Sequence, residues 1–387
     1  MADHHNSVTL DFELNLIKND AGFYLELITE LSKQKSVNLF IWGILPYLSL
    51  FTIETSQYIE NKFPIYANPM SKEYSQIIRV SRMRIKFFDD TLNKVSGMFE
   101  LLDWISDFHE EWYINSHKGS FSSLKRALQL DLGIFAYDGH IIGSTHTGLL
   151  FTGLAKKNLS EINTDVTASL EKLLFSISKE LGSYLAMLSN LTEFTPIKTN
   201  SFDYRIQENQ LGYKDVNSAE FFSLVFNGSD TISINFSLLL FLSTTNFIRH
   251  VMTKLVSGLP DTLFKLKFIT LYHLASSLKK LHNYCYPENV FTEHSKKYFQ
   301  SVINNNEFKK ITSKKILRNI LVHYQVQDLS DILLCNELNL KDLVEYFFDG
   351  EKFEKIDEQV DFQIARISEI LEQWLNWSVK PNQFSRW

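Results

Sequence analysis

Residues that break helices are scarce in this chain, and their scarcity limits the folds that it can adopt. Only 14 of the 387 residues are glycine and 7 are proline, about half of the usual share. Because these two residues supply most tight turns, a chain with so few of them has long segments between turns. We therefore expect a predominantly all-α protein rather than one built from many short strands.

The composition is that of a globular protein long enough for two domains. Hydrophobic residues make up 44% of the chain and charged residues 22%, and the formal net charge is −6. These values exclude a disordered or fibrous chain, and roughly 150 residues per domain predicts two domains. The two cysteines, Cys285 and Cys335, form neither a disulfide framework nor a Cys-x-x-Cys zinc motif.

Apolar residues recur with helical spacing through much of the first half of the chain. The segments with this pattern are Phe23 to Lys33, Leu39 to Tyr58, Glu73 to Ile105 and Ile162 to Ser189. One stretch, Gly133 to Ile142, instead places Asp138-Gly139 between short apolar runs, which is typical of a β-hairpin with a primed turn. We expect a mostly helical N-terminal domain that contains this small hairpin.

Turn-forming residues between Thr192 and Asp230 interrupt the helical pattern, and we place a domain boundary there. The boundary separates residues 1–230, whose role the sequence does not indicate, from residues 231–387. The second part predicts a four-helix bundle with an excursion before its last helix. Its predicted helical segments are Asn235 to Ser257, Asp261 to Cys285, Thr292 to Ile303, a segment capped by Thr312 or Ser313 that runs to Gln325, the shorter pieces Leu329 to Asn336 and Leu340 to Phe348, and Val360 to Trp377.

Three residues with useful chemistry fall on one of these predicted helices. Asn319 and His323 are four residues apart and share a helix face, and the long side chain of Arg318 can reach the same edge. An imidazole transfers protons near neutral pH, and a guanidinium can bind a phosphate through two parallel hydrogen bonds. The amide of Asn319 can orient either group. This set of residues suits phosphodiester chemistry without a metal ion.

The sequence Arg318-Asn319-x-x-x-His323, late in a predicted four-helix bundle, resembles the signature of the HEPN superfamily. That signature is an arginine followed, after four to six residues, by a histidine, with asparagine or aspartate favoured directly after the arginine. The resemblance covers about residues 235–380 and implies a HEPN-like bundle. It also implies a metal-independent endoribonuclease without a cofactor, a class common in toxin–antitoxin, abortive-infection and CRISPR-linked defence systems.

The resemblance also implies a role for each motif residue. Arg318 would contact the scissile phosphate and Asn319 would support that contact. His323 would act as acid or base while the 2′-hydroxyl of single-stranded RNA or tRNA attacks the phosphate. Because the family's site usually forms where two bundles pair, a homodimer is expected, together with an antitoxin or another regulatory partner.

Positive charge accumulates near the motif. The span from Arg249 to Arg318 holds thirteen basic and four acidic residues, whereas the span from Asp328 to Glu372 holds thirteen acidic and four basic residues. An acidic protein can therefore present a basic face to RNA beside the motif.

Further substrate contacts are predicted from residues close to the motif. We expect Lys314 and Lys315 to bind the RNA backbone and Tyr324 to stack on a base. His273, His282 and His294 are additional candidates for lining the cleft.

Other functional classes find little support in the sequence. The longest apolar runs are shorter than a bilayer span and the first residues do not resemble a signal peptide, so we expect a soluble, cytosolic protein. Gly-rich phosphate loops, His-Glu-x-x-His and Gly-x-Ser-x-Gly motifs are absent. Asp138, His140 and His146 near the hairpin have no companion at metal-ligand spacing, and no metal site is expected.

Two other interpretations of the bundle remain open. It could be a non-catalytic helical module for dimerisation or partner binding, which burial of Arg318 and His323 would favour. It could also be the target of a nucleotide-transferring enzyme, in which case Tyr324 would carry the adduct.

Overall fold

A computed structural model gives the fold of the protein. The described residues are 2–31, 37–64, 71–88, 95–116, 128, 130–152, 166–191, 210–227, 232–255, 259–286, 291–326 and 338–376. Within them the chain forms fourteen helices. These helices are α1 (Ala2–Leu31), α2 (Val37–Lys62), α3 (Lys72–Arg84), α4 (Val95–Ser116), α5 (Thr145–Thr152), α6 (Val166–Leu191), α7 (Ser218–Leu224), α8 (Ile232–Leu255), α9 (Pro260–Cys285), α10 (Glu293–Ile303), α11 (Asn306–Thr312), α12 (Lys315–His323), α13 (Leu340–Phe347) and α14 (Phe353–Leu375).

A small antiparallel sheet lies in the first half of the chain. Its strands are β1 (Leu132–Tyr137), β2 (His140–Ser144) and β3 (Leu211–Val216), in the order β2-β1-β3. Asp138 and Gly139 both have positive φ, 52° and 83°, as a primed two-residue turn requires. The hairpin predicted around Asp138-Gly139 is therefore confirmed, whereas β3 was not predicted.

Helix α8 crosses the centre of the fold and contacts β2, α4 and α14. It is the one described helix long and apolar enough to span a membrane, but 83% of its most apolar window is buried inside the protein. It is therefore a core helix of the fold. Residues Phe247–Met252 within it form a π-helical segment, which widens the helix locally and re-aims its side chains.

The helices of the second half pack against one another around α9 and α14. Helix α9 contacts α10, α12 and α14, and α14 also contacts α8 and α13. Thr292, Asn305 and Asn339 cap the N-termini of α10, α11 and α13 by accepting from the backbone N–H three residues on. The predominantly all-α fold class is thus confirmed for the described residues.

The predicted start of the motif helix is wrong. Lys314, not Thr312 or Ser313, occupies the N-cap position of α12, and it forms no side-chain capping bond. The hydroxyls of Thr312 and Ser313 instead donate to Phe308 O and Lys310 O of the preceding helix. The helix-like piece predicted at 329–336 lies outside the described residues.

Residues on both sides of position 230 contribute to one continuous buried apolar cluster. Polar contacts also cross this position: the hydroxyls of Tyr47 and Thr270 are 2.7 Å apart, and Val326 N donates to Glu13 Oε1 at 2.7 Å. The division into residues 1–230 and 231–387 remains a prediction about folding units. In the folded protein, the two parts share one core.

Candidate active site

The motif residues lie on α12, a nine-residue helix that packs against α2 and α9. Leu317, Ile320 and Leu321 are buried and anchor the apolar side of this helix. Arg318 and Asn319 lie between these buried residues in the sequence, and His323 follows them at the end of the helix. All three are partly buried, at the edge of the contact with α2 and α9.

His323 is the last residue of α12, and its side chain is 39% exposed. Its Nδ1 lies 2.6 Å from Oε2 of Glu54, a residue of α2 that is only 2% exposed. The Glu54 carboxylate therefore fixes the orientation of the imidazole ring through Nδ1. With Nδ1 held by Glu54, the other ring nitrogen, Nε2, is available for proton transfer.

Glu54 also binds Arg82 of α3. Arg82 Nε donates to Glu54 Oε1 at 2.7 Å, and its Nη2 donates to the same oxygen. Burial alone would raise the pKa of the Glu54 carboxyl, but the hydrogen bond from His323 and the charge of Arg82 lower it below its ordinary value. A buried, ionised carboxylate thus orients His323.

Arg318 lies half-buried on the same helix, next to the motif asparagine. Its Nη1 donates to Asn319 Oδ1 at 2.9 Å, and its guanidinium carbon lies 5.0 Å from the centre of the Tyr272 ring. No carboxylate of the described residues forms an ion pair with Arg318. The amide and the ring therefore position a guanidinium whose charge is not neutralised by a direct partner, as binding of a phosphate requires.

A group of cations surrounds buried His273 of α9. Burial holds the pKa of His273 well below its ordinary value, and the charges of Arg318, Lys86, Arg82 and Lys280 lower it further. His273 is therefore neutral at pH 7. Arg82 and Glu54 are also charge neighbours of Arg318, and Glu54 binds His323. The four cations near His273 thus outnumber the one buried carboxylate of this group, an excess of positive charge that suits an anion.

The prediction that Tyr324 stacks on a base is wrong. Tyr324 ends α12 in the left-handed conformation (φ 56°) and is 1% exposed. Its hydroxyl donates to Asp20 Oδ2 at 2.6 Å, and Lys265 Nζ lies 3.8 Å from its ring centre. The ring is therefore enclosed in the core and cannot reach a substrate or carry an adduct in this conformation.

The two predicted substrate lysines lie at the opposite end of α12 from His323. Lys314 Nζ is 5.2 Å from the Phe348 ring centre and 4.0 Å from Asp349 Oδ2, whereas Lys315 is exposed. The rise of an α-helix places them roughly 12 Å along the axis from His323.

The basic block of the sequence is only partly available to RNA. Carboxylates of the acidic segment pair with several of its members: Lys267 with Asp357 and Asp361, Lys310 with Glu351, and Arg249 with Glu369. Summed charge along the sequence therefore overstates the basic face beside the motif.

Of the other predicted histidines, only His273 lies near Arg318. His282 stacks on Tyr286 with ring centres 5.2 Å apart, and His294 is exposed beside Tyr298. Around Arg318 and His323, the described residues include no group of three metal-ligating side chains; the one such group found is elsewhere, at His140, His250 and Glu372.

Sequence reasoning missed Glu54 and Arg82, which belong to the first half of the chain. The available signal was a single acidic residue in the apolar stretch from Leu39 to Tyr58, because a carboxylate buried in such a helix requires a charged or hydrogen-bonding partner.

Comparisons of the chain with protein-family models, with curated proteins and with solved structures find no match. The functional assignment therefore depends on the residues and geometry described above.

Proposed function

We propose that the protein is a metal-independent endoribonuclease of the HEPN type that cuts single-stranded RNA or tRNA. The observation that supports this most directly is that Glu54 links the two groups: it orients the half-exposed imidazole of His323 and is a charge neighbour of the guanidinium of Arg318, on the same helix. This combination provides a group for proton transfer and a group for phosphate binding within one positively charged region.

In the proposed reaction, the ribose 2′-hydroxyl attacks the adjacent phosphorus. A bond forms between O2′ and phosphorus and the bond to O5′ breaks, which yields a 2′,3′-cyclic phosphate and a 5′-hydroxyl. His323 Nε2 either takes the proton from O2′ or, when protonated, gives one to the leaving O5′. In a homodimer, the second copy of His323 performs the other transfer.

The remaining groups stabilise charge during this reaction. Arg318 binds the non-bridging phosphate oxygens, where negative charge increases in the transition state. Asn319 holds the guanidinium, and Glu54 holds the ring of His323 in position. Exposed Lys315, and Lys314 beside it, bind neighbouring phosphates of the RNA.

The biological setting belongs to the same proposal. A cytosolic RNA-cutting enzyme of this kind acts as a toxin or an antiphage effector, held inactive by an antitoxin or another regulatory partner. Sedimentation of the purified protein tests the expected homodimer.

The direct test is cleavage of RNA in EDTA by wild type, His323→Ala and Arg318→Ala. Loss of proton transfer is expected to slow cleavage about 10²–10⁴-fold in His323→Ala, and loss of the phosphate contact about 10²–10³-fold in Arg318→Ala. His294→Ala, which removes an exposed histidine from α10, is the matched control and should cut at the wild-type rate.

Folding and cleavage can be separated with a further variant. His323→Asn keeps a donor near the position of Nδ1 for Glu54 but provides no group that titrates near neutral pH, so it should fold normally and still fail to cut. Undiminished cutting by the His323 and Arg318 variants would refute the nuclease proposal and leave a non-catalytic helical module.

A further inference from the structure

Three metal-ligating side chains from three different elements, none of them α12, come together in a second group. His140 begins β2 directly after the hairpin turn, His250 lies in the π-helical segment of α8, and Glu372 lies near the end of α14. Their ligand atoms are all within 4.8 Å of one another. None of the three belongs to the proposed nuclease site.

The contacts within this group leave metal-binding capacity unused. His140 Nδ1 is 2.6 Å from Glu372 Oε1, and the rings of His140 and His250 stack with centres 3.8 Å apart. Nε2 of His250 is buried and has no hydrogen-bond partner among the described residues. A buried ring nitrogen without a partner is unfavourable, and its lone pair is the group that a metal ion would accept.

A second layer of hydrogen bonds holds the carboxylate in place. Asn246 Nδ2 donates to Glu372 Oε1 at 3.0 Å and to Ile141 O at 3.1 Å, and Asn246 Oδ1 accepts from Ser368 Oγ at 2.6 Å. Outer contacts of this kind fix the orientation of metal ligands. The π-helical segment that carries His250 is itself a feature enriched at functional sites.

We propose that His140, His250 and Glu372 bind a divalent transition-metal ion, and that zinc is the ion that suits them best. Two imidazoles and one carboxylate are the ligands of zinc sites that keep a fourth position open for water. His140 and Glu372 are half-buried, so water can reach that position. The imidazole-rich set also disfavours calcium and magnesium, which prefer oxygen ligands.

The surrounding charges permit a bound cation. Arg249 and Lys254 are the nearby cations, and they face carboxylates: Arg249 Nη2 lies 2.8 Å from Glu369 Oε1 and Lys254 Nζ lies 4.0 Å from Asp138 Oδ2.

Zinc binding changes the geometry of the group. Bonds of about 2.0–2.1 Å place tetrahedral ligand atoms roughly 3.4 Å apart, whereas the ligand atoms here lie within 4.8 Å of one another. Because a metal lies in the plane of each imidazole that binds it, at least one ring turns out of the stack between His140 and His250. The ion then links the hairpin, α8 and α14.

The test is equilibrium binding of Zn²⁺ to the full-length protein, with Co²⁺ absorption as a readout of the ligand geometry. His4 and His5 are replaced by alanine in every protein compared, because adjacent histidines bind zinc by themselves. The parent should bind one zinc ion per chain. His250→Ala and Glu372→Gln should bind it more than about 100-fold more weakly, and Asn246→Ala about 10–100-fold more weakly.

Two comparisons make the result decisive. Glu372→Gln keeps the size of the side chain and an acceptor for Asn246, so it separates loss of a ligand from loss of the fold, and circular dichroism checks the fold. His294→Ala removes a surface histidine and should bind zinc like the parent. The proposal would be overturned if the parent binds no stoichiometric zinc, or if His250→Ala and Glu372→Gln bind zinc with the parent's affinity. Either outcome would count against the metal site whatever the result of the RNA-cleavage assay.

Discussion

The carboxylate of Glu54 offers the sharpest test of how the candidate site is held together. Glu54→Gln keeps the shape of the side chain and an acceptor oxygen but removes the charge that faces Arg82 and His323. A hydrogen bond to a charged group contributes about 1.5–3 kcal/mol to stability and a neutral one about 0.5–1.5 kcal/mol. In the variant, the hydrogen bond to each of the two partners therefore contributes roughly 1 kcal/mol less to stability.

Exposure of the partners reduces this effect. The side chain of Arg82 is 19% exposed and that of His323 is 39% exposed, so solvent screens part of the attraction. A buried neutral amide is also easier to accommodate than a buried charge. We expect Glu54→Gln to lower the free energy of unfolding by about 1–2 kcal/mol at pH 7, as measured by urea denaturation.

The pH dependence separates charge from packing. The pKa of Glu54 is lowered in the folded protein from its ordinary value of 4.5. Its charge therefore stabilises the fold fully above the unfolded-state pKa, and this stabilisation is lost as the pH falls through the lower folded-state pKa. The difference between wild type and Glu54→Gln should accordingly shrink in acid, because the wild-type carboxyl is then neutral as well.

A matched control lies on the same helix. Glu60 is exposed near the end of α2, and Glu60→Gln should change stability by less than about 0.5 kcal/mol. If the proposed nuclease assignment holds, Glu54→Gln should also slow RNA cleavage about 10–100-fold, as loss of an outer-layer carboxylate does at other sites, while Glu60→Gln should not. Equal stability of wild type and Glu54→Gln at pH 7, or a difference that persists unchanged in acid, would refute the reasoning.

Two further predictions concern the buried network beneath the motif helix. Asp20→Asn removes the charge that faces buried Lys265, and an unpaired buried ammonium should cost about 3–5 kcal/mol in the free energy of unfolding; a loss under about 1 kcal/mol in urea denaturation would contradict this. Tyr324→Phe removes a hydrogen bond to a charged carboxylate and should cost about 1.5–3 kcal/mol. Because the ring is enclosed, this variant should cut RNA at the wild-type rate at low temperature, and a slower rate with unchanged stability would show that Tyr324 contacts the substrate.

Local patterns in the sequence predicted the parts of the fold that depend on neighbouring residues. Asp138-Gly139 specifies a hairpin because both positions of a primed turn need positive φ. Strand β3 pairs with β1 from more than seventy residues away, and its Lys214 and Asp215 are not typical strand residues. No local pattern could therefore identify it.

The same difference between local and long-range features holds for the candidate site. The spacing of Asn319 and His323 on one helix is a local property, but the partners of a charge are not. The sequence places Lys267 in the basic block expected to face RNA, whereas in the fold its Nζ lies 2.6 Å from Asp357 Oδ1. Tyr324 looked like a stacking residue because it follows His323, yet the left-handed turn at the helix end directs it into the core.

The contact between Glu54 and His323 bears on the role of the first half of the chain, which the sequence does not indicate. Glu54 and Arg82 belong to residues 1–230, whereas Arg318 and His323 belong to the bundle, and the two sets meet in one polar region. A bundle separated at position 230 would keep the motif but lose the carboxylate that orients its imidazole. If the protein cuts RNA as proposed, the first half is therefore part of the catalytic apparatus, because it fixes the position of the ring that transfers the proton.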